Sequence, residues 1–308
     1  MKKILFYQNI GIDEVLILGL LKEYNVQYEP VFAEDENTFN KEDVEIIVVV
    51  NKKMSADTLQ TFPNLKMISV SFTGFDSVDR DYCTQNNIAV YNAAGYSTDP
   101  VAELTIALAQ AVLRQIPQSH GQMKLGDWQP YVGQELANKT IGIIGTGAIG
   151  MRVAELAKVY KCKVLGYSRS EKPDFQKFGN YVTWKEIFTL SDIISVHLPL
   201  NEKTKNSITK DEFTAMKNSS IIINTARGPV ICRDSLIDAL KNKTIYGAAL
   251  DVYVSEPPRD EELQNLENVV LMPHIGFRTK EALLRKANIT IANIDDFLTK
   301  REEENRVY

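Results

Sequence analysis

The stretch TIGIIGTGAIGMRVAELA, Thr140 to Ala157, limits the possible folds more than any other part of the chain. A β-branched run leads into Gly145, Gly147 and Gly150 in G-x-G-x-x-G spacing, and a segment of helical period follows. Strand, glycine turn and helix in that order predict the opening βα unit of a doubly wound sheet that binds a dinucleotide. Gly145 permits the tight turn, Gly147 lets the backbone approach a pyrophosphate, and Gly150 lets the helix pack closely on its strand. Thr146, Ala148 and Ile149 complete the turn. The phosphates would sit at the helix N-terminus, where free N–H groups and the dipole favour negative charge.

The second strand of such a unit usually ends in an Asp or Glu that grips the adenosine ribose of NAD. Here the stretch is VLGYSRSEK, and Ser168, Arg169 and Ser170 stand at its tip, about 18 residues beyond Gly150. Two hydroxyls can donate to a 2′-phosphate, and a guanidinium can pair with it and stack on adenine. The residues therefore point to NADP, with NAD possible as a weaker partner.

Strand-like and helix-like segments alternate along most of the chain, the pattern of a parallel sheet covered on both faces. Before residue 97 the strands are KKILFYQ, EIIVVV, NLKMISVSFTG and NNIAVYNAAG. DPVAELTIALAQAVLRQIP then reads as one long helix, with Pro100 near its start and Pro117 near its end. GDWQPYVGQELANK reads as irregular, with Trp128 and Tyr131 expected to be exposed. Six further strands follow, from KTIGIIG to NVVLMPHIG, and the chain closes on a helix and a charged tail, REEENRVY.

Composition narrows the partners. Hydrophobic residues make up 44% and charged residues 24% of the 308, and the net charge is -5, which argues against nucleic acid as a partner. No apolar run reaches membrane-spanning length. The apolar part of MKKILFYQNIG is too short for a signal peptide and is expected to be a first strand. Three distant cysteines suit reduced thiols in a cytoplasm, and no His/Cys cluster marks a metal site.

Three later segments place polar residues just beyond a strand of the second series, at the carboxyl edge where such sheets bind ligands. IIINTARGPVI offers Arg227, AALDVYVSEPP offers Asp251 and Glu256, and VVLMPHIG offers His274. An Arg fork matches two oxygens and could hold a carboxylate and polarise a carbonyl. A His can give or take a hydroxyl proton near neutral pH, and a Glu beside it would fix the ring and favour the imidazolium.

With GTGAIG, HLPLNEKT, NTARGPVI, ALDVYVSEPP and MPHIG in order and spacing, the chain resembles the D-isomer-specific 2-hydroxyacid dehydrogenase family over essentially its whole length. The resemblance implies that Arg227, Glu256 and His274 are the catalytic trio. It implies that Asp251 touches the nicotinamide side and that His197, Pro199 and Thr204 border the cofactor, with Thr225, Ala226 and Gly276 among the cofactor residues. It also implies that the loop SFTGFDSVD meets the substrate carboxylate through N–H groups near Thr73 and Gly74.

The expected fold is α/β, with two doubly wound parallel-sheet domains. A Rossmann-type nucleotide domain, residues 98–276, is inserted into a flavodoxin-like substrate domain, residues 1–97 and 277–308. The two crossings, near Tyr96–Pro100 and Ile275–Thr279, would form a hinge whose closure expels water. A homodimer is expected from the family, through the VAELTIALAQAVL helix and the Trp128 loop.

Departures from relatives narrow the substrate. Phosphoglycerate dehydrogenases carry an Arg-Ser segment where this chain has NKKMS, so Lys52 or Lys53 would lie near the substrate in place of a phosphate-reading Arg. Formate dehydrogenases carry Gln at the position of Glu256, and phosphite dehydrogenases Lys at that of Thr73. Tyr96 stands where relatives have a small or amide residue, and would narrow the cleft. The expected reaction is NADPH-dependent reduction of a small 2-keto acid such as glyoxylate, hydroxypyruvate or pyruvate. The alternatives are phosphoglycerate dehydrogenase-like activity and a dinucleotide-sensing corepressor-like protein.

Overall fold

The computed structural model describes residues 2–33, 38–301 and 305–308. Part of the tail REEENRVY, residues 302–304, lies outside the described residues. The chain divides into two compact units, Met1–Ser97 with Phe277–Tyr308, and Thr98–Gly276.

The first unit is built on five parallel strands: β1 (Lys3–Phe6), β2 (Glu29–Phe32), β3 (Val44–Val49), β4 (Met67–Val70) and β5 (Ala89–Asn92), in the order β2-β1-β3-β4-β5. β4 and β5 are buried along their whole length and β3 at all but one residue, because helices cover both faces and no side of the strand meets water. That is why they read as unbroken apolar runs. β2 was not expected. Its sequence, EPVF, is too short and too mixed to stand out, and Pro30 is tolerated because the strand lies at the sheet edge.

The helix Lys280–Thr299 starts at Thr279, whose hydroxyl accepts the Ala282 N–H at 3.2 Å. It buries Ala282, Ala287, Ile291 and Ile294 on one face, the spacing of an amphipathic helix. The tail beyond it does not simply end in charge. The Val90 N–H donates to the Tyr308 carbonyl and the Val307 N–H to the Val90 carbonyl, each at 2.8 Å, so the last residues run along β5. Val307 and Tyr308 supply the apolar surface for this, with the Tyr308 ring edge-on to Phe75.

The second unit has seven parallel strands: β6 (Thr140–Ile144), β7 (Lys163–Tyr167), β8 (Asn180–Tyr181), β9 (Ile193–Val196), β10 (Ile221–Asn224), β11 (Gly247–Leu250) and β12 (Val269–Leu271). Their order, β12-β11-β10-β9-β6-β7-β8, reverses direction at β6 and β9. That reversal opens a crevice at the carboxyl ends of these two strands. β8 adds a seventh strand to the six legible in the sequence, and its two residues are too few to give a periodic signal.

The expected long helix is two helices. The first, Thr98–Leu113, packs into the core of its own unit. Gln115 then adopts a left-handed conformation at φ 48°, and a second helix runs from Ile116 to Lys124. Pro117 therefore opens a helix instead of ending one. In a first turn its missing N–H costs nothing, because that group has no partner within the helix.

Candidate active site

The glycine turn follows β6. Gly145 has φ +99°, and a Cβ on it would lie 2.6 Å from the His197 carbonyl oxygen. A Cβ on Gly150 would lie 2.0 Å from the Gly145 carbonyl oxygen, so helix and turn touch only because both residues lack side chains. Gly147 differs: nothing lies within 4 Å of the space its Cβ would fill. That open approach, and a helix Ala148–Val159 whose first N–H groups have no side-chain cap, fit a pyrophosphate.

Thr146 is buried, its hydroxyl 2.8 Å from the Tyr181 hydroxyl. The Lys172 N–H donates to the same Tyr181 oxygen at 2.9 Å. Tyr181, which sequence reasoning passed over, thus ties the glycine turn to the loop after β7. In that loop Ser168 is half-buried, while Arg169 and Ser170 are exposed.

Other residues expected near a cofactor are already engaged. His197 turns its Nε2 to the Ser195 hydroxyl at 2.7 Å, and desolvation lowers its pKa to about 4, so the ring is neutral. The Thr204 hydroxyl donates to the Pro199 carbonyl at 2.6 Å and accepts the Asn201 N–H at 2.9 Å, closing the turn after β9. Thr225 lies beside Thr105, their hydroxyls 3.1 Å apart.

The strands β10, β11 and β12 bring Arg227, Glu256 and His274 to one edge. His274 Nδ1 lies 2.7 Å from Glu256 Oε2. The other oxygen of Glu256 accepts the Tyr253 N–H at 3.1 Å. Burial pushes the Glu256 carboxyl upward. The His274 hydrogen bond and charge, the Tyr253 N–H and the Arg227 charge outweigh it and hold the group below the usual carboxylate range. Glu256 is therefore a carboxylate at neutral pH, and it fixes the imidazole orientation through Nδ1.

His274 has φ 53°, a conformation that costs a side-chain-bearing residue of the order of 1–3 kcal/mol. Asp251 holds it there. Its two oxygens accept the Ile275 and Gly276 N–H groups, each at 2.8 Å, directly after His274. Burial raises the Asp251 carboxyl against the pull of those two bonds. Tyr253 braces the same turn, its hydroxyl donating to the Met272 carbonyl at 2.8 Å.

Arg227 is placed by Asn224 at the end of β10. The Asn224 amide donates to the Arg227 carbonyl at 2.9 Å, and its oxygen accepts the Ala226 N–H at 3.0 Å. Asn224 and Tyr253 were not singled out from the sequence. A polar residue closing an otherwise apolar strand, and an aromatic set between two acids, were the available signals.

In the first unit, the Asn92 amide donates to the Thr73 carbonyl at 2.7 Å, and the Thr73 hydroxyl is 3.3 Å from that of Ser97. Gly74 follows in the same partly exposed loop. Lys52 lays its ammonium over the Tyr7 ring, 3.4 Å from the centroid. Tyr96 is 1% exposed and packs with Phe72 and Phe277, so its ring belongs to the core behind the loop.

Comparison with known proteins gives the family and the fold. The family model "D-isomer specific 2-hydroxyacid dehydrogenase, NAD binding domain" matches residues 106–276, more than half of the chain. A glyoxylate reductase of Thermococcus litoralis is 37% identical over 263 residues, which is 82% of this chain and 80% of that protein. The crystal structure of a D-lactate dehydrogenase from Aquifex aeolicus, complexed with NAD and lactic acid, superposes with a TM-score of 0.88 at 26% identity, over 99% of both chains. An acyclic imino acid reductase in complex with NADPH and D-Arg superposes with a TM-score of 0.89 at 29% identity, over 99% of this chain and 100% of that one. A dinucleotide turn at the sheet's switch point and a His–Glu pair at the same carboxyl edge are what a hydride-transfer enzyme needs. The chain belongs to the D-isomer-specific 2-hydroxyacid dehydrogenase family, NAD(P)-dependent oxidoreductases.

Proposed function

We propose that this enzyme reduces a small 2-keto acid, of the glyoxylate, hydroxypyruvate or pyruvate class, to the D-2-hydroxy acid, with NADPH preferred over NADH. The observation that carries the reading is the His274–Glu256 pair at 2.7 Å, with the Arg227 charge acting on the same carboxylate. A dinucleotide held at the glycine turn would supply the hydride for the carbonyl carbon. Arg227 holds the substrate carboxylate and polarises the carbonyl oxygen. The family resemblance assigns a part in carboxylate binding to backbone N–H groups near Thr73 and Gly74. Protonated His274 has Nδ1 committed to Glu256, so its Nε2 delivers the proton to the carbonyl oxygen. In the reverse direction His274 starts neutral and takes the hydroxyl proton. The Thermococcus litoralis relative, named a glyoxylate reductase, supports this substrate class.

A panel of glyoxylate, hydroxypyruvate and pyruvate with each cofactor tests the reading. Turnover of at least one acid is expected, with the higher kcat/KM on NADPH. No turnover of any of them would refute the substrate class. The cofactor preference rests on Ser168, Arg169 and Ser170. Arg169→Ala is expected to raise KM for NADPH about tenfold, the loss of one charge-assisted contact to phosphate, and to leave KM for NADH within about twofold. A wild type that prefers NADH would overturn this part.

The proposed assembly is a homodimer. The helix Thr98–Leu113 buries nine of its sixteen residues and leaves Glu103 and Ala107 exposed. Ile116, Met123, Leu125, Trp128 and Val132 are exposed, beside a cleft of about 880 Å³ lined in part by Leu113, Ile116 and Met123. Apolar side chains concentrated in this way mark an association surface. Sedimentation equilibrium at twice the chain mass is the expected result.

A further inference from the structure

Lys286 is 1% exposed, in the middle of the helix Lys280–Thr299. Its ammonium lies 5.3 Å from the Phe277 ring centroid and 5.8 Å from that of Tyr96. No hydrogen bond or ion pair to that ammonium is found among the described residues, and the charge that acts on it is a second cation, Arg278. A buried cation without an anion is costly, and charged residues are rarely buried unless paired. The protein keeps one here where a methionine would fill the same space.

The surrounding hydrogen bonds show where this charge sits. On the buried face of the same helix, the Asn293 amide donates to the Asn92 carbonyl at the end of β5. One turn earlier, the Thr290 hydroxyl donates to the Ser71 hydroxyl, just past the end of β4. The helix thus runs opposite to the strands, and each turn toward its N-terminus reaches further past their carboxyl ends. Lys286 is the next turn, about 6 Å further along the axis. That is the level of Phe72, Thr73 and Gly74. The Phe72 ring packs on Phe277 and Tyr96, the two rings that face the ammonium.

We propose that Lys286 is a specificity-determining residue: its buried charge, behind the Thr73–Gly74 loop, raises affinity for substrate anions through the apolar interior. This rests on the reading that the loop meets the substrate carboxylate. A charge surrounded by aromatic side chains is screened far less than one in water and acts over several ångströms. Desolvation and the Arg278 charge lower the Lys286 pKa to about 8, which still leaves the group mostly protonated at pH 7. Tyr96 then has a defined part, as one of the two rings the ammonium lies over.

The test is Lys286→Met, which keeps the volume and removes the charge. Expected results are a KM for the 2-keto acid raised about tenfold, a kcat within twofold and an unchanged Kd for NADPH. The melting temperature should hold or rise, because an uncompensated buried charge has gone. Binding of oxalate, an anion with no reducible carbonyl, is measured by calorimetry on wild type and variant and should weaken by a similar factor. If wild type turns over no 2-keto acid, the substrate reading fails, while oxalate binding still judges Lys286. Equal oxalate affinity in the two proteins overturns the proposal. So does a fall in kcat and melting temperature together, which marks a purely structural residue.

Discussion

His274→Ala is expected to lower kcat by about a thousandfold, within the range for loss of a general acid, and to leave the Kd for NADPH within about twofold. The two effects separate because the groups are separate. The glycine turn follows β6, while His274 follows β12 at the far edge of the sheet. One complication is conformational, since φ at this position is 53° and alanine disfavours that region. His274→Asn removes it. Asparagine tolerates the left-handed region, so the Asp251 bonds to Ile275 and Gly276 can persist, but an amide cannot deliver a proton at neutral pH. Both variants should be about equally slow. Steady-state turnover and fluorescence titration of NADPH check the pair. A His274→Asn enzyme that keeps wild-type kcat would remove His274 from the chemistry.

Much of this arrangement was legible in the sequence, because chemistry with strict geometric demands leaves strict residue patterns. Gly145 and Gly150 have no alternative where a carbonyl oxygen occupies the space of a side chain. The buried parallel strands announce themselves because both faces are covered, so nothing polar interrupts IIVV or III. What escaped lacked such a signature. β2 and β8 are edge strands of four and two residues, stabilised by a neighbour and not by their own pattern. The break at Gln115 depends on a left-handed residue that propensity does not mark, so Pro117 looked like a stop when it is a start. Tyr96 reads equally well as a cleft residue or a core residue, and only its ring contacts with Phe72 and Phe277 decide. Lys286 lies in a helix rich in charged residues, and nothing in LLRKANIT separates a buried lysine from a solvated one.

Gly228→Ala is expected to lower kcat about a hundredfold without touching any reacting group, the cost of roughly a 1 Å misplacement. Gly228 follows Arg227 directly. A Cβ on it would fall 2.0 Å from the Tyr253 carbonyl carbon and 2.2 Å from its oxygen. Ordinary contact between such atoms needs about 3.5–4.0 Å, so one of the two loops must retreat by more than 1 Å. Both outcomes damage the site. If the β10 loop moves, Arg227 moves with it. If the β11 loop moves, the Tyr253 N–H is drawn off Glu256, and Glu256 is drawn off the His274 Nδ1 that it orients. Overpacking of this kind typically costs about 1–3 kcal/mol of stability, so the variant should fold with a lower melting temperature. NADPH affinity should change little, since the turn that would hold the pyrophosphate follows β6, two strands from β10. The diagnostic result is therefore a folded enzyme that binds NADPH normally and turns over slowly. A Gly228→Ala enzyme with kcat within threefold of wild type would mean that the two loops accommodate each other, and that the Arg227–Glu256–His274 geometry is not held by their close approach.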